Sequence, residues 1–148
     1  MAIRIKNLDL GVEGMRRSDS VFVGDVTADA TFNLWIAPVA CVVDSIAVVS
    51  TQACPPATTT ASTTASSMTY QAIINTTASV MAVRGNSATE TTTNSISANV
   101  AYVTNMSANN SLTQGSVVQL IYDTNASGAL SQAVFAINYR PLLHRETR

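Results

Sequence analysis

The chain is poor in the side chains that carry chemistry. Its 148 residues include one histidine, His144, one tryptophan, Trp35, and two cysteines, Cys41 and Cys54. A lone histidine beyond Pro141 gives no catalytic triad and leaves a His-rich metal site without its second ligand; it reads as an exposed end residue. Aromatic residues make up 5% of the chain, too few for the ring-binding cleft that a glycosidase sets around its two carboxylates. Charged residues make up 11%, eight basic against nine acidic, for a net charge of −1. Nucleic acid needs a concentrated basic footprint, and here only Arg16-Arg17 and the tail Arg140, Arg145 and Arg148 form small positive spots. No Gly-rich phosphate loop occurs. The longest apolar run, 34–43, is ten residues and holds Pro38, against about 18 or more for a bilayer span. No apolar stretch of about 7–15 residues follows the basic residues 1–6, so no secretory signal is read and assembly in the cytoplasm is expected. There both cysteines are expected as free thiols, Cys41 as a small core hydrophobe, with a Cys41–Cys54 bridge as the alternative.

What the chain does have is apolar bulk under an uncharged polar skin. Apolar residues are 47% of the sequence, and a chain of about 150 residues buries about 68–70% of its unfolded surface, enough for one domain with a real core. Low net charge at that apolar content argues against disorder. Between Ser45 and Tyr139 only Arg84, Glu90 and Asp123 are charged; Thr, Ser, Asn and Ala fill the gaps. A free domain usually carries about 25–35% charged residues on its surface. A surface of hydroxyls, amides and methyls is weakly hydrated and little repelled by its neighbours. It suits a permanent place in an assembly.

Residues 1–20 mix Ile3, Ile5, Leu8, Leu10 and Val12 with charges and two glycines, which disfavours a helix. Ile3 and Ile5 alternate with Arg4 and Lys6, so the segment reads as an extended arm with one greasy side. From 21 onward the pattern is β, with β-branched and aromatic residues at 21–23, 31–37 and 40–51. In 41–49 almost every position is apolar, the mark of a strand buried on both faces or covered by a partner on the outer one. A low-complexity Pro/Thr/Ser/Ala tract follows at 55–67 and reads as a surface loop. Further strands are expected at 68–76, 80–84, 96–104, 117–122 and 133–139, the last with Phe135, Ile137 and Tyr139 on one face. Pro141 ends the series. No long amphipathic helix appears. Eight or so strands spaced by polar loops indicate an all-β antiparallel two-sheet sandwich over 21–141, a jelly roll first and an immunoglobulin-like sandwich second, with a charged tail at 142–148.

Candidate sites dissolve on inspection. Asp25 and Asp29 could share a loop, but a hairpin bend explains them as well as a metal does. Asp123, Asn125, Ser127 and Gly128 imitate a calcium loop, yet Val134 stands where the bidentate carboxylate belongs, between strands and not helices. Four Asn-x-Ser/Thr triplets are expected by chance in so Asn/Ser/Thr-rich a chain. No catalytic, metal or cofactor residue is assigned, and neither a cofactor nor a small-molecule substrate is expected.

The order of segments carries a resemblance. Phe32-Asn33-Leu34-Trp35-Ile36-Ala37-Pro38 leads into Ala40-Cys41-Val42-Val43-Asp44-Ser45-Ile46. The Thr/Ser/Ala loop and Met68-Thr69-Tyr70-Gln71 come next. Leu112-Thr113-Gln114-Gly115-Ser116-Val117-Val118 and Gly128-Ala129-Leu130-Ser131 then precede a closing strand ending Tyr139-Arg140-Pro141-Leu142. Over about 21–142 this resembles the small β-sandwich decoration (cement) proteins of tailed-bacteriophage capsids. The resemblance implies a virion protein on the outer capsid surface, often a homotrimer, whose partners are the major capsid protein and copies of itself, with no nucleic acid or membrane. The alternatives are another virion part, such as a coat-like jelly roll, head-fibre base or tail protein, or a carbohydrate-binding or adhesive module. The interface residues expected from the arm are Ile3, Arg4, Ile5 and Lys6, with Arg16 and Arg17.

Overall fold

In the computed structural model, the described residues are 16–53, 67–85, 96–123 and 129–142. They form nine strands and no helix. β1 (Arg17–Val26), β9 (Leu130–Pro141), β3 (Cys41–Val49) and β6 (Tyr102–Asn105) lie side by side in that order, and the two-residue β7 (Ser111–Leu112) also pairs with β3. β2 (Ala30–Ile36), β8 (Val117–Asp123), β4 (Ser67–Ile74) and β5 (Thr77–Gly85) make the second sheet. Every pairing is antiparallel.

The wiring is that of one long hairpin wound on itself. β4 and β5 pair at its tip, and β3–β6, β2–β8 and β1–β9 pair successively further back. Winding the ribbon brings β9 against β3 and β8 against β4, which divides it into two sheets. Side chains alternate across a strand, so each strand sends one row into the shared core. Phe135, Ile137 and Tyr139 go in from β9, Val118, Leu120 and Tyr122 from β8, and Met68, Tyr70 and Ala72 from β4; all are buried. The expected alternation of β9 is therefore the one observed.

In β3 the alternation changes phase. The register slips between Val43 and Ser45, so Cys41, Val43, Ile46 and Val48 all face the core. One extra residue, Asp44, moves the following side chains to the opposite face. Neither strict period-two row of 41–49 is the inward one. The outer row, Val42, Ala47 and Val49, is half-buried, so the expectation of a strand buried on both faces within the chain is corrected.

Three other boundaries differ from the sequence reading. β1 begins at Arg17, so Arg17–Ser20 pair with Tyr139–Ala136 of β9 and are sandwich rather than arm. The run expected over 96–104 is a strand only from Tyr102; Asn99 stands at φ 60° and the Val100 N–H donates to the Ser97 carbonyl at 3.2 Å, a tight turn. The expected strands 68–76 and 80–84 are a continuous hairpin, because Asn75 and Thr76 take φ 49° and 71° and close a two-residue turn between Ile74 and Thr77. Such turns normally announce themselves by glycine, and this one has none. The 55–67 tract, apart from Ser67, lies outside the described residues.

Candidate functional site

The outer face of the β1–β9–β3–β6 sheet carries an uncharged, largely apolar strip. Phe22 of β1 stands beside Val134 of β9, and Val134 beside Val49 of β3. One row along, Ser20, Ala136, Ala47 and Val103 line up across all four strands. The next row is Ser18, Asn138, Ser45 and Asn105, where Asn138 Nδ2 donates to Ser45 Oγ at 3.1 Å. Phe22 is 68% exposed and Val103 52%. They stand on the two edge strands of the sheet, with Val134, itself 37% exposed, beside Phe22; exposed apolar side chains gathered on one face mark a contact surface.

One end of the strip is closed by ions. Arg140 on β9 forks onto Asp44, with Nε 3.0 Å and Nη2 2.9 Å from the carboxylate. Arg16 adds its Nε at 3.6 Å. The hydrogen bonds and charge of Asp44 raise the Arg140 pKa further above its usual value. Exposed pairs of this kind add little stability; their effect here is to gather the local charge at one end.

The second sheet's outer face is uncharged as well among the described side chains. Asn33, Gln119 and Gln71 form an amide ladder across β2, β8 and β4: Gln71 Nε2 donates to Gln119 Oε1 at 2.8 Å, and Gln119 Nε2 to Asn33 Oδ1 at 2.6 Å. Ile36, Val117, Ile73 and Ala78 lie in the row beyond. The strip and the amide ladder can each be pressed against a protein without stripping water from an ion, the step that makes buried charge costly.

Beneath the first sheet, Asp19 points inward from β1. Its Oδ2 accepts from Trp35 Nε1 at 2.9 Å, and the Trp35 ring packs on Tyr139 with centroids 4.9 Å apart. Burial first, then the charge and hydrogen bond of Asp19, raise the Tyr139 pKa, while Arg17 opposes them. Burial, with the Asp19 charge second, pushes the Cys41 thiol up to about 11. Cys41 is thus a buried free thiol, protonated at neutral pH and poorly nucleophilic. The cluster ties β1, β2 and β9 together and has structural work to do.

The remaining candidates are placed as follows. Asp25 Oδ1 accepts from the Gln132 N–H at 2.7 Å and from Ser131 Oγ at 3.1 Å, holding Gln132 at φ 46°; no group of three metal-ligating side chains occurs among the described residues. Residues 124–128 of the calcium-like stretch, Cys54 and His144 lie outside the described residues. So do Ile3, Arg4, Ile5 and Lys6. Arg16 and Arg17 are exposed at the ion-bearing end of the first sheet. Sequence reasoning named neither Phe22 nor Val103 as an interface residue. The available signal was the double apolar row of 41–49, which already called for an outer cover.

No protein-family model matches the sequence, and no curated protein does. Among solved structures, a chain of the structure of infectious bursal disease virus Gx strain matches 90% of this chain at 10% identity and a TM-score of 0.34. The match covers 38% of that chain, so this protein spans less than two fifths of it. A likeness this distant bears on neither fold nor function.

Proposed function

We propose that this chain is a non-enzymatic structural protein of a virion, a jelly-roll sandwich that binds the outer surface of a phage capsid and stabilises it by bridging coat subunits. The observation that carries the reading is the uncharged outer face from Phe22 to Val103. The sheet orders β1-β9-β3-β6 and β2-β8-β4-β5 support the jelly roll, since eight strands interleaved as two Greek keys serve viral capsid and lectin domains alike. The lectin use is the weaker fit, because Trp35, Tyr70, Tyr122 and Tyr139 are buried and Tyr102 is half-buried, which leaves them no platform for a sugar ring.

The mechanism is added contact area. A protein that spans the seam between coat subunits makes rupture break several interfaces at once, and each stable interface buries about 1,200–2,000 Å². Copies of the chain itself and the major capsid protein are the partners, with no cofactor. An uncharged strip on one sheet and an amide ladder on the other also favour a second reading, a coat-like sandwich flanked on both sides within a shell wall. The test is a pair of particle preparations with and without this chain. Loss of heat or pressure tolerance in its absence is expected, and an image reconstruction places it outside the shell. Unchanged tolerance sinks the reading, and density within the wall selects the second one.

A further inference from the structure

We propose that the first half of β1, residues 17–22, is a detachable strap that lifts from β9 as a unit, pivoting at Gly24. The rest of the sandwich stays folded. β1 lies at the end of its sheet and pairs with β9 alone. The core-side row of this half is Arg17, Asp19 and Val21, in register with Tyr139, Ile137 and Phe135. Those three β9 side chains are buried, yet none of residues 17–22 is. The other end strands of the two sheets each bury at least one side chain: Leu34 and Trp35 in β2, Met81 and Ala82 in β5, Thr104 in β6. Segments with few buried apolar contacts are the ones that part locally from a fold.

A hinge separates this half from the next. Gly24 stands at φ 85° between two slips of register, Phe22 to Gly24 and Gly24 to Val26. The ladder is already interrupted at such a bulge, so bending there breaks little. Beyond the hinge the strand is anchored: Val26 is buried, and Asp25 Oδ1 accepts from the Gln132 N–H and Ser131 Oγ. Before it, the ladder is supplemented by a pin, the Asp19 carboxylate accepting from Trp35 Nε1 at 2.9 Å. The Arg16–Asp44 pair at the start of the strap is exposed on the arginine side and adds little. The β5 edge of the other sheet is sealed instead. There the Met81 carbonyl accepts from the Ser107 and Ala108 N–H groups at 3.0 and 3.1 Å, and Asn109 Nδ2 donates to the Val80 carbonyl at 2.7 Å. Lifting the strap leaves the β9 edge with unpaired backbone groups, the kind of surface to which an added strand pairs.

The strap is a property of the fold and stands or falls apart from the virion reading. Native-state amide hydrogen exchange on the full chain tests it. The amides of residues 17–22 that bond to β9 are expected to exchange roughly tenfold or more faster than the Leu120 amide, corrected for intrinsic rates, and with a weaker urea dependence. Two full-length variants separate strap opening from global unfolding. Ile46→Val weakens the core that stays folded, so it is expected to speed the Leu120 amide about two- to tenfold and to leave the strap amides unchanged. Trp35→Phe removes the pin and is expected to speed the strap amides roughly ten- to hundredfold. Strap amides that follow Leu120 in Ile46→Val overturn the proposal, because β1 then leaves only with the whole sandwich. So do strap rates that Trp35→Phe leaves unaltered.

Discussion

A single charge at the centre of the outer strip separates folding from assembly. Ala136 sits mid-strand in β9, between Ser20 of β1 and Ala47 of β3, with Val134 and Asn138 before and after it on the same face. In Ala136→Asp the new carboxylate of the free protein can reach water at the surface. The β-propensity scale spans about 1 kcal/mol, so the loss of folding stability is expected at about 1 kcal/mol or less. If this face meets a coat subunit, as proposed, the same carboxylate is stranded there. None of its cross-strand neighbours is basic, and Arg140 is already committed to Asp44. Aspartate is also too short to carry its charge out to the rim, as lysine does. An uncompensated buried charge costs about 3–5 kcal/mol, which at about 1.4 kcal/mol per tenfold is roughly two to three and a half orders of magnitude in affinity. Co-sedimentation of the variant with shells stripped of the native chain, beside a thermal melt of the free variant, measures both quantities. Binding within threefold of the parent, at an unchanged melting temperature, would refute the placement of the contact on this face.

Trp35→Phe deletes the donor that faces Asp19; a hydrogen bond to a charged group is worth about 1.5–3 kcal/mol, so urea unfolding followed by circular dichroism should show a loss of about 2 kcal/mol. Thr76→Gly relieves a β-branched residue at φ 71°, a strain of about 1–2 kcal/mol, and a rise of about 4 °C in melting temperature is expected. Thr104 is buried with its Oγ1 unpartnered among the described atoms; Thr104→Val should leave stability unchanged or raise it by about 1 kcal/mol. Cys41 ionises near 9 when unfolded and near 11 when folded. Its stabilising share is whole below about pH 9 and disappears by about pH 11, so the urea midpoint falls across that window, Tyr139 shifting it the same way. Cys41→Ala flattens the fall, and in a Cys54→Ser background maleimide at pH 8 should label the chain only on unfolding.

The all-β class was legible because side-chain alternation is a local property. The alternation in β9 and β8, with Pro38 between strands and Pro141 as the last residue of β9, needs nothing from the rest of the chain, and neither does the reading of Cys41 as a core residue. Bulges were not legible. The extra residue at Asp44 has no compositional signature, and it decides that Val43 and Ile46 share a face. The Asn75-Thr76 turn escaped for a related reason: its backbone takes a conformation that glycine would have advertised. Arg17–Ser20 are a strand only because β9 offers them partners from the far end of the sequence.

The outer face of the β1–β9–β3–β6 sheet shows the same division. By itself, the sequence determined that the middle of the chain is nearly free of charge and that 41–49 has more apolar positions than one buried face requires. Only the tertiary structure set Phe22 beside Val134 and Ala47 beside Val103, because antiparallel pairing of strands distant in sequence is fixed by register and bulges. It also gathered Arg16, Asp44 and Arg140 at one end, leaving the remainder of the face without an ion. Local chemistry chose the kind of surface; long-range pairing chose which residues form it.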